Sequence, residues 1–290
     1  MRKLIPSLLA GTMLLSCGGD GGGSGGESDD DKDPLTEGFS DEVSPATSAT
    51  CYAGAYYRKI VSSKDRWLGI GGRVKLPKIT FDASRVNPNK PQQYLDNPSV
   101  YLGGNASGQE TDIGLTWEVI RDEAGNVTAD RRAFRPFMRR TACTATGQAS
   151  DYSNAPAESR YYWYEGEEVT ISVQVVADGD ILFTVDGAGK HYETHYQADA
   201  YRLGVKTEYK RVNAIDQVAN EGKPAQATQT RVEGSTWYET YLYRNYNGDI
   251  VKAPMTQARF TDMRCPDAKY FTISSTAASL KQGSEEITIN

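Results

Sequence analysis

The sequence of 290 residues lacks the local signatures of several enzyme classes. Outside the glycine run at 18–26 it contains no Gly-x-Ser-x-Gly elbow and no dinucleotide-binding fingerprint, and it has no phosphate-binding loop or Cys-x-x-Cys pair. Only two histidines occur, so a Ser-His-Asp site has few ways to form. After residue 17 no stretch approaches the roughly 20 apolar residues that a membrane-spanning helix needs. We therefore expect no cofactor and no spanning helix.

The first seventeen residues have the layout of an export signal. Arg2 and Lys3 precede a short apolar stretch, which is typical of a secretory signal peptide. Leu14-Leu15-Ser16-Cys17 resembles the lipobox of bacterial lipoproteins. That resemblance implies that residues 1–16 are removed and that lipid on Cys17 anchors the protein to the membrane. The alternative is an ordinary signal peptide in which Cys17 is incidental.

Residues 17–49 are predicted to be a disordered tether, because they are rich in glycine and aspartate and poor in apolar groups. Residues 18–49 carry a net charge of −8 and the signal +2, so the rest of the chain sums to zero. The acidic balance therefore says nothing about the domain's partner, and nucleic acid is not expected. The acidic run resembles the surface-export signals of Bacteroidetes lipoproteins; a solubilising spacer is the alternative. No Asp follows Cys17 directly, so the inner-membrane retention signal of bacterial lipoproteins is missing, which favours the outer membrane.

Residues 50–290 are predicted to form one all-β domain, an antiparallel β-sandwich. Residues 170–175 alternate polar and apolar side chains, as a half-buried strand does. Asp178-Gly179-Asp180 then fits a hairpin turn into the next strand. No long amphipathic helix is evident. The predicted strands span 100–102, 111–120, 161–164, 169–176, 181–185, 192–196, 237–243 and 258–263.

Cysteine usage agrees with export. If Cys17 carries lipid, three cysteines remain, which allows one disulfide and one free thiol. Cys51 and Cys265 lie near the two ends of the domain, where end strands often pair. We expect a Cys51–Cys265 disulfide, with Cys143 left over.

Two charged segments have ordinary structural explanations. His191, Glu193 and His195 share one face of a predicted strand, and the two histidines stand about 13 Å apart, too far to bind one metal ion. No metal site is therefore expected. The segment 131–140 holds five arginines, whose planar forks suit sulfate, phosphate or carboxylate groups. Local ion pairs on an edge strand or loop are the simpler interpretation.

Aromatic side chains are candidates for a ligand-binding surface, because flat rings can pack on the apolar C–H faces of sugars. The candidates are Trp117, Tyr162, Trp163 and Trp237. Core packing is the alternative for each of them, since alternate residues of a strand point inward.

Several segments, taken in order, resemble the glutamic peptidases, or eqolisins. The segments are Val100-Tyr101-Leu102-Gly103-Gly104, Thr111-Asp112-Ile113-Gly114, Tyr161-Tyr162-Trp163-Tyr164-Glu165, Tyr238-Glu239-Thr240-Tyr241 and Arg259-Phe260-Thr261-Asp262. The resemblance implies a concanavalin-like, jelly-roll sandwich. It also implies a catalytic pair, in which Asp112 replaces the family's glutamine and Glu239 matches its glutamate. A carboxylate cannot donate a hydrogen bond as an amide does unless it is protonated, so the pair would work by acid–base chemistry.

Three functions follow as hypotheses. The first is a lipid-anchored module of the cell envelope that binds a polymer, most simply a glycan. The second is a hydrolase, peptidase-like or glycosidase-like, that uses Asp112 and Glu239. The third is a structural envelope lipoprotein that binds another protein. The expected partners are thus the membrane, through Cys17, and a polysaccharide or polypeptide ligand.

Overall fold

The computed structural model describes residues 33–45, 50–90, 92–120, 126–127 and 132–290. The predicted signal peptide, the lipidation site at Cys17 and most of the predicted tether lie outside these residues. The strands are β1 (Ala55–Ser62), β2 (Trp67–Lys75), β3 (Lys78–Thr80), β4 (Asp96–Ala106), β5 (Gln109–Val119), β6 (Arg132–Arg140), β7 (Asp151–Asn154), β8 (Glu168–Ala177), β9 (Asp180–Gly187), β10 (Lys190–Gln197), β11 (Glu208–Gln217), β12 (Arg231–Tyr246), β13 (Asp249–Pro254), β14 (Phe260–Cys265), β15 (Phe271–Ser274) and β16 (Glu285–Ile289). The helices are α1 (Pro34–Glu37), α2 (Ala277–Leu280) and the 3₁₀ turns Ser159–Tyr161, Gln257–Arg259 and Ala268–Tyr270.

The strands form two antiparallel sheets packed face to face. The order of the seven-stranded sheet is β14-β1-β11-β4-β5-β6-β7. The second sheet runs β10-β9-β8-β2-β12-β16-β15, and β3 and β13 also pair with β12. Apolar side chains from both sheets form one large core between them. The predicted all-β, antiparallel sandwich is confirmed.

The local pattern of β8 and β9 explains why this hairpin forms. Buried and partly exposed residues alternate along both strands, as in a sheet with one face on the core. Gly179 lies in the two-residue connection at φ 78°, a left-handed conformation that glycine adopts without steric cost. The hairpin predicted at Asp178-Gly179-Asp180 is therefore present.

The strand predicted over residues 161–164 is wrong. A 3₁₀ turn ends at Tyr161, and the segment pairs with β6 only through an isolated bridge between Trp163 and Phe134. Tyr162 and Trp163 are both fully buried, whereas a strand would alternate its side chains between two faces. The run of aromatic residues therefore indicated burial and not strand pairing.

The predicted boundary at residue 50 is wrong for residues 33–45, which pack against the domain. Phe39 is 7% exposed, and its ring contacts Trp67 edge to face at 5.8 Å. The Glu42 carboxylate accepts a hydrogen bond from the Arg259 guanidinium at 2.9 Å. Val43 pairs with Lys64 in a β-bridge. Asp33–Asn290 accordingly form one compact unit.

The expected disulfide is present, with Cys51 bonded to Cys265 over a sequence separation of 214 residues. Cys143 is a free, buried thiol. Within the described ranges, no helix combines the length and apolar character needed to span a membrane.

Candidate functional site

The candidate site lies on the face of the seven-stranded sheet that points away from the other sheet, called here the outer face. Val100 and Leu102 of β4 point into the core, so Tyr101 between them points outward. The same alternation directs Asp112 of β5 to the outer face. This face carries two rows of side chains across the sheet, one charged and one aromatic.

The charged row crosses β11, β5 and β6. Lys210 Nζ lies 2.8 Å from one carboxylate oxygen of Asp112, and Arg139 Nη1 lies 2.8 Å from the other. Gly103 of β4 stands between Lys210 and Asp112 in the strand register. Its lack of a side chain matters, because a Cβ there would meet the carbonyl oxygen of Thr111 at 1.9 Å. The glycine thus lets the two charges meet across β4.

Electrostatics keep Asp112 ionised. Burial opposes its charge, but Lys210 and Arg139 outweigh that effect and hold the pKa of Asp112 below its ordinary value. The same pairing raises the pKa of Lys210 although burial acts in the other direction. Asp112 is therefore an acceptor for two cations and is poorly suited to donate a proton.

The aromatic row consists of Tyr101, Phe137 and Tyr152. The Tyr101 and Phe137 rings meet edge to face with centroids 5.8 Å apart. The Phe137 and Tyr152 rings stack with centroids 6.2 Å apart. Gly114 lies between Tyr101 and Phe137 in the register, and a Cβ there would clash with Tyr101. Tyr152 is 55% exposed, so the row ends in a ring that a ligand can reach.

Asp216 is a second carboxylate on the outer face, and its surroundings raise its pKa above the ordinary value. Ser99 Oγ donates a hydrogen bond to it at 3.0 Å. The residue is exposed, but the protein around its carboxylate removes enough hydration to raise the pKa to about 6. The negative charges of Asp112 and Glu221 add to this effect, whereas Ser99 and Arg139 oppose it.

Asp112 and Glu239 do not form the predicted pair. Asp112 belongs to β5 of the seven-stranded sheet, whereas Glu239 belongs to β12 of the other sheet. Glu239 is exposed beside a bulge, where the register between β12 and β2 shifts after Trp237. The two carboxylates therefore cannot act on one bond. The prediction failed because a short resemblance in sequence does not fix which sheet a strand joins.

Three of the predicted ligand-binding aromatic residues belong to the core. Tyr162, Trp163 and Trp237 are 0% exposed, so they offer no ring face to a ligand. Trp237 Nε1 donates to Asn213 at 2.9 Å, and Trp163 Nε1 donates to the Gly187 carbonyl oxygen at 3.0 Å. For these rings the core-packing alternative holds. Trp117 differs: it is 7% exposed and lines a cavity of about 400 Å³.

The arginines of β6 are paired locally, as the simpler interpretation expected. Besides the bond from Arg139 to Asp112, Arg135 contacts Glu118 at 2.5 Å and Arg140 contacts Asp151 at 3.4 Å. Arg132 differs, because it donates a hydrogen bond to the side-chain carbonyl oxygen of Gln92 at 2.7 Å. Arg131 lies outside the described residues.

The two histidines lie on strand β10, and both are exposed. His191 Nδ1 is 2.5 Å from Asp186, and His195 Nδ1 is 2.9 Å from Asp180. Across the part of the chain that the structure describes, no group of three His, Cys, Asp or Glu residues could hold a metal ion.

Sequence reasoning missed most of this site. Asp112 was singled out and Arg139 belongs to the arginine-rich segment 131–140, but Lys210, Asp216 and Tyr152 were not predicted. A usable signal existed for β5, where the alternation of residues 109–118 separates a polar face from an apolar one. Strand β11 lies two strands away from β5 in the sheet although it is far from β5 in the chain. No local sequence signal could show this.

Comparisons with known proteins find likeness in structure and none in sequence. No family model and no curated protein sequence matches the chain. A crystal structure of scytalido-glutamic peptidase with a transition state analog inhibitor is similar over 83% of this chain and 100% of its own, with 9% identity and a TM-score of 0.48. SCP-B, a member of the eqolisin family of peptidases in complex with the tripeptide Ala-Ile-His, is similar over 81% and 98%, with 8% identity and a TM-score of 0.43. A Bacteroides ovatus GH16 protein of the mixed linkage glucan PUL, in complex with a G4G4G3G product, is similar over 61% and 76%, with 13% identity and a TM-score of 0.34.

Proposed function

We propose that this protein is an exported, lipid-anchored envelope protein whose outer face binds a polymeric glycan. The observation that carries the proposal is the aromatic row that ends at the exposed Tyr152, beside the charged row. Aromatic rings supply flat apolar surface at a low cost in conformational entropy, and a few fixed polar groups beside them orient a ligand. Both features lie on one rigid sheet, which favours a preformed site.

Export and anchoring are supported by the amino-terminal sequence and by the disulfide. Cys51–Cys265 is the kind of bond that persists in oxidising compartments outside the cytosol. Incorporation of a labelled fatty acid into the protein, abolished by Cys17→Ser, tests the anchor. Labelling that persists in this variant would contradict lipidation at Cys17.

The second candidate function is hydrolysis, and Asp216 is the observation that favours it. A carboxyl group with a pKa of about 6 can exchange a proton at the mildly acidic pH where it titrates. Ser99 beside it fixes the orientation of the carboxylate. In this hypothesis Asp216 is the acid–base residue, and Asp112 holds the neighbouring cations.

One experiment separates the two functions. The purified full chain is incubated with a panel of polysaccharides and proteins at about pH 4 and pH 7, which bracket carboxyl titration. Retention by the polymer, new reducing ends and new amines are measured together. Retention without products supports a binding module, whereas products that disappear with Asp216→Asn support a hydrolase. Neither retention nor products across the panel would contradict both functions.

A further inference from the structure

The outer face carries cationic side chains whose hydrogen-bond donors are not all directed at its carboxylates. Lys210 forms an ion pair with one oxygen of Asp112, and Arg139 forms one with the other. Lys210 also lies 3.6 Å from Glu110. Lysine has three N–H donors and arginine five, so these contacts leave donors of both side chains for another acceptor.

Lys59 is the clearest surplus donor. It lies on β1, opposite Val212 in the register, with its ammonium 5.9 Å from the centre of the Tyr57 ring. Among the described residues, no carboxylate oxygen lies within 4.0 Å of the Lys59 ammonium. Burial and the positive charge of Lys210 lower the pKa of Lys59, and the negative charges of Glu110, Asp112 and Glu208 oppose this only in part. An anionic group of a ligand would provide the Lys59 ammonium with a close counter-charge.

Arg139 is the second surplus donor, and it stands next to the exposed ring. Its side chain is 47% exposed and uses Nη1 for Asp112, which leaves most of its five N–H donors for another acceptor. Arg139 and Tyr152 are directly opposite each other on β6 and β7. Residues so paired have Cβ atoms about 5 Å apart, so one ligand group can contact both side chains.

We propose that the outer face selects glycans that carry several anionic groups, with one sugar ring packed on Tyr152 and its carboxylate or sulfate bound by Arg139. Lys59 lies on β1, which three strands separate from β6, and binds a further anionic group along the same polymer. This inference rests on the proposed glycan-binding function and names the class of glycan. Guanidinium groups bind carboxylate and sulfate oxygens through paired N–H donors, which a neutral hydroxyl group does not match. Asp112 then has a second role, because it holds Arg139 in place on the sheet.

The test compares matched polymers by affinity electrophoresis of the full chain. The gels contain polygalacturonate, a sulfated galactan, a neutral galactan or no polymer. We expect retardation by at least one anionic polymer, about tenfold stronger than by the neutral galactan and weaker as salt rises. The carboxylate and sulfate gels distinguish the two sources of the anion. Equal retardation by the neutral and anionic polymers would overturn the inference.

Two variants test whether Lys59 and Arg139 cause the preference for anionic polymers. Lys59→Met and Arg139→Gln are each expected to reduce the affinity for the anionic polymer about tenfold and to leave weak neutral binding unchanged. Arg160→Gln is the matched control, because Arg160 is an exposed arginine that is paired with Glu158 and does not belong to the outer face. A preference that survives both site variants, with thermal unfolding like that of the wild type, would contradict the inference. If the wild type binds none of the polymers, that result would instead contradict the proposed function itself.

Discussion

Aromatic side chains occupy two very different regions of this molecule, the core between the sheets and the outer face of the seven-stranded sheet. In the core, Trp67, Trp163 and Trp237 expose at most 1% of their surface, and each indole N–H donates to an acceptor within the protein. On the outer face the row ends at Tyr152, which exposes more than half of its surface. Richness in aromatic residues therefore does not indicate a binding surface by itself. What separates the two regions is the sheet face to which each ring points.

The largest expected effect is on stability, from a core ring. Trp237→Ala removes a fully buried indole and leaves its partner Asn213 without the N–H that it accepts. Changes of this kind cost about 4 kcal/mol in the free energy of unfolding, which urea denaturation measures. Tyr238→Ala is the matched control on the next residue, which is partly exposed, and we expect a loss of less than about 1 kcal/mol. Equal losses for the two variants would contradict the assignment of Trp237 to the core.

The charged row is expected to contribute less to stability than the core. Asp112→Asn leaves Lys210 and Arg139 close together without their shared carboxylate. Removing one partner from a largely buried ion pair costs about 3 kcal/mol, less where water reaches the remaining charge. Glu158→Gln is the control: it removes an exposed ion pair with Arg160, and we expect almost no change in the free energy of unfolding. A wild-type urea midpoint for Asp112→Asn would contradict the described pairing.

Replacement of Asp216 should have a smaller effect on the free energy of unfolding, and this effect should depend on pH. Its pKa is about 6 in the folded protein and near 3.8 in the unfolded chain, so the folded state holds the proton more tightly. Ionisation of Asp216 therefore destabilises the fold as pH rises from about 4 to above 6. We expect Asp216→Asn to gain stability relative to the wild type at pH 7 and not at pH 4, as measured by urea midpoints at both values. The same difference at both pH values would contradict the raised pKa.

The sequence was sufficient to predict the sandwich because strand alternation and turn residues are local properties. The alternation in β8, the Asp178-Gly179 turn and the terminal cysteines all predicted what the structure has. Residues 33–45 were assigned to the tether because their composition resembles a linker. Contacts of Phe39, Glu42 and Val43 with distant residues dock this segment, and composition cannot report such contacts.

The site was mostly beyond prediction because it depends on sheet order. Lys210 reaches Asp112 only because β11 inserts between β1 and β4, and because Gly103 leaves the space between them empty. The predicted partner Glu239 lies on the other sheet, because strand pairing places β12 there. Local patterns indicate which residues face outward, but long-range strand pairing decides which of them become neighbours.

The most direct test of the outer face as the binding surface is the affinity of Tyr152→Ala for whichever polymer retains the wild type. Loss of this exposed ring should change the free energy of unfolding by no more than about 0.5 kcal/mol. Tyr246→Ala is the matched control, since Tyr246 is an exposed tyrosine on β12 of the other sheet. The account predicts that Tyr152→Ala weakens binding about tenfold while Tyr246→Ala binds like the wild type. Wild-type affinity in Tyr152→Ala, or an equal loss in both variants, would contradict it.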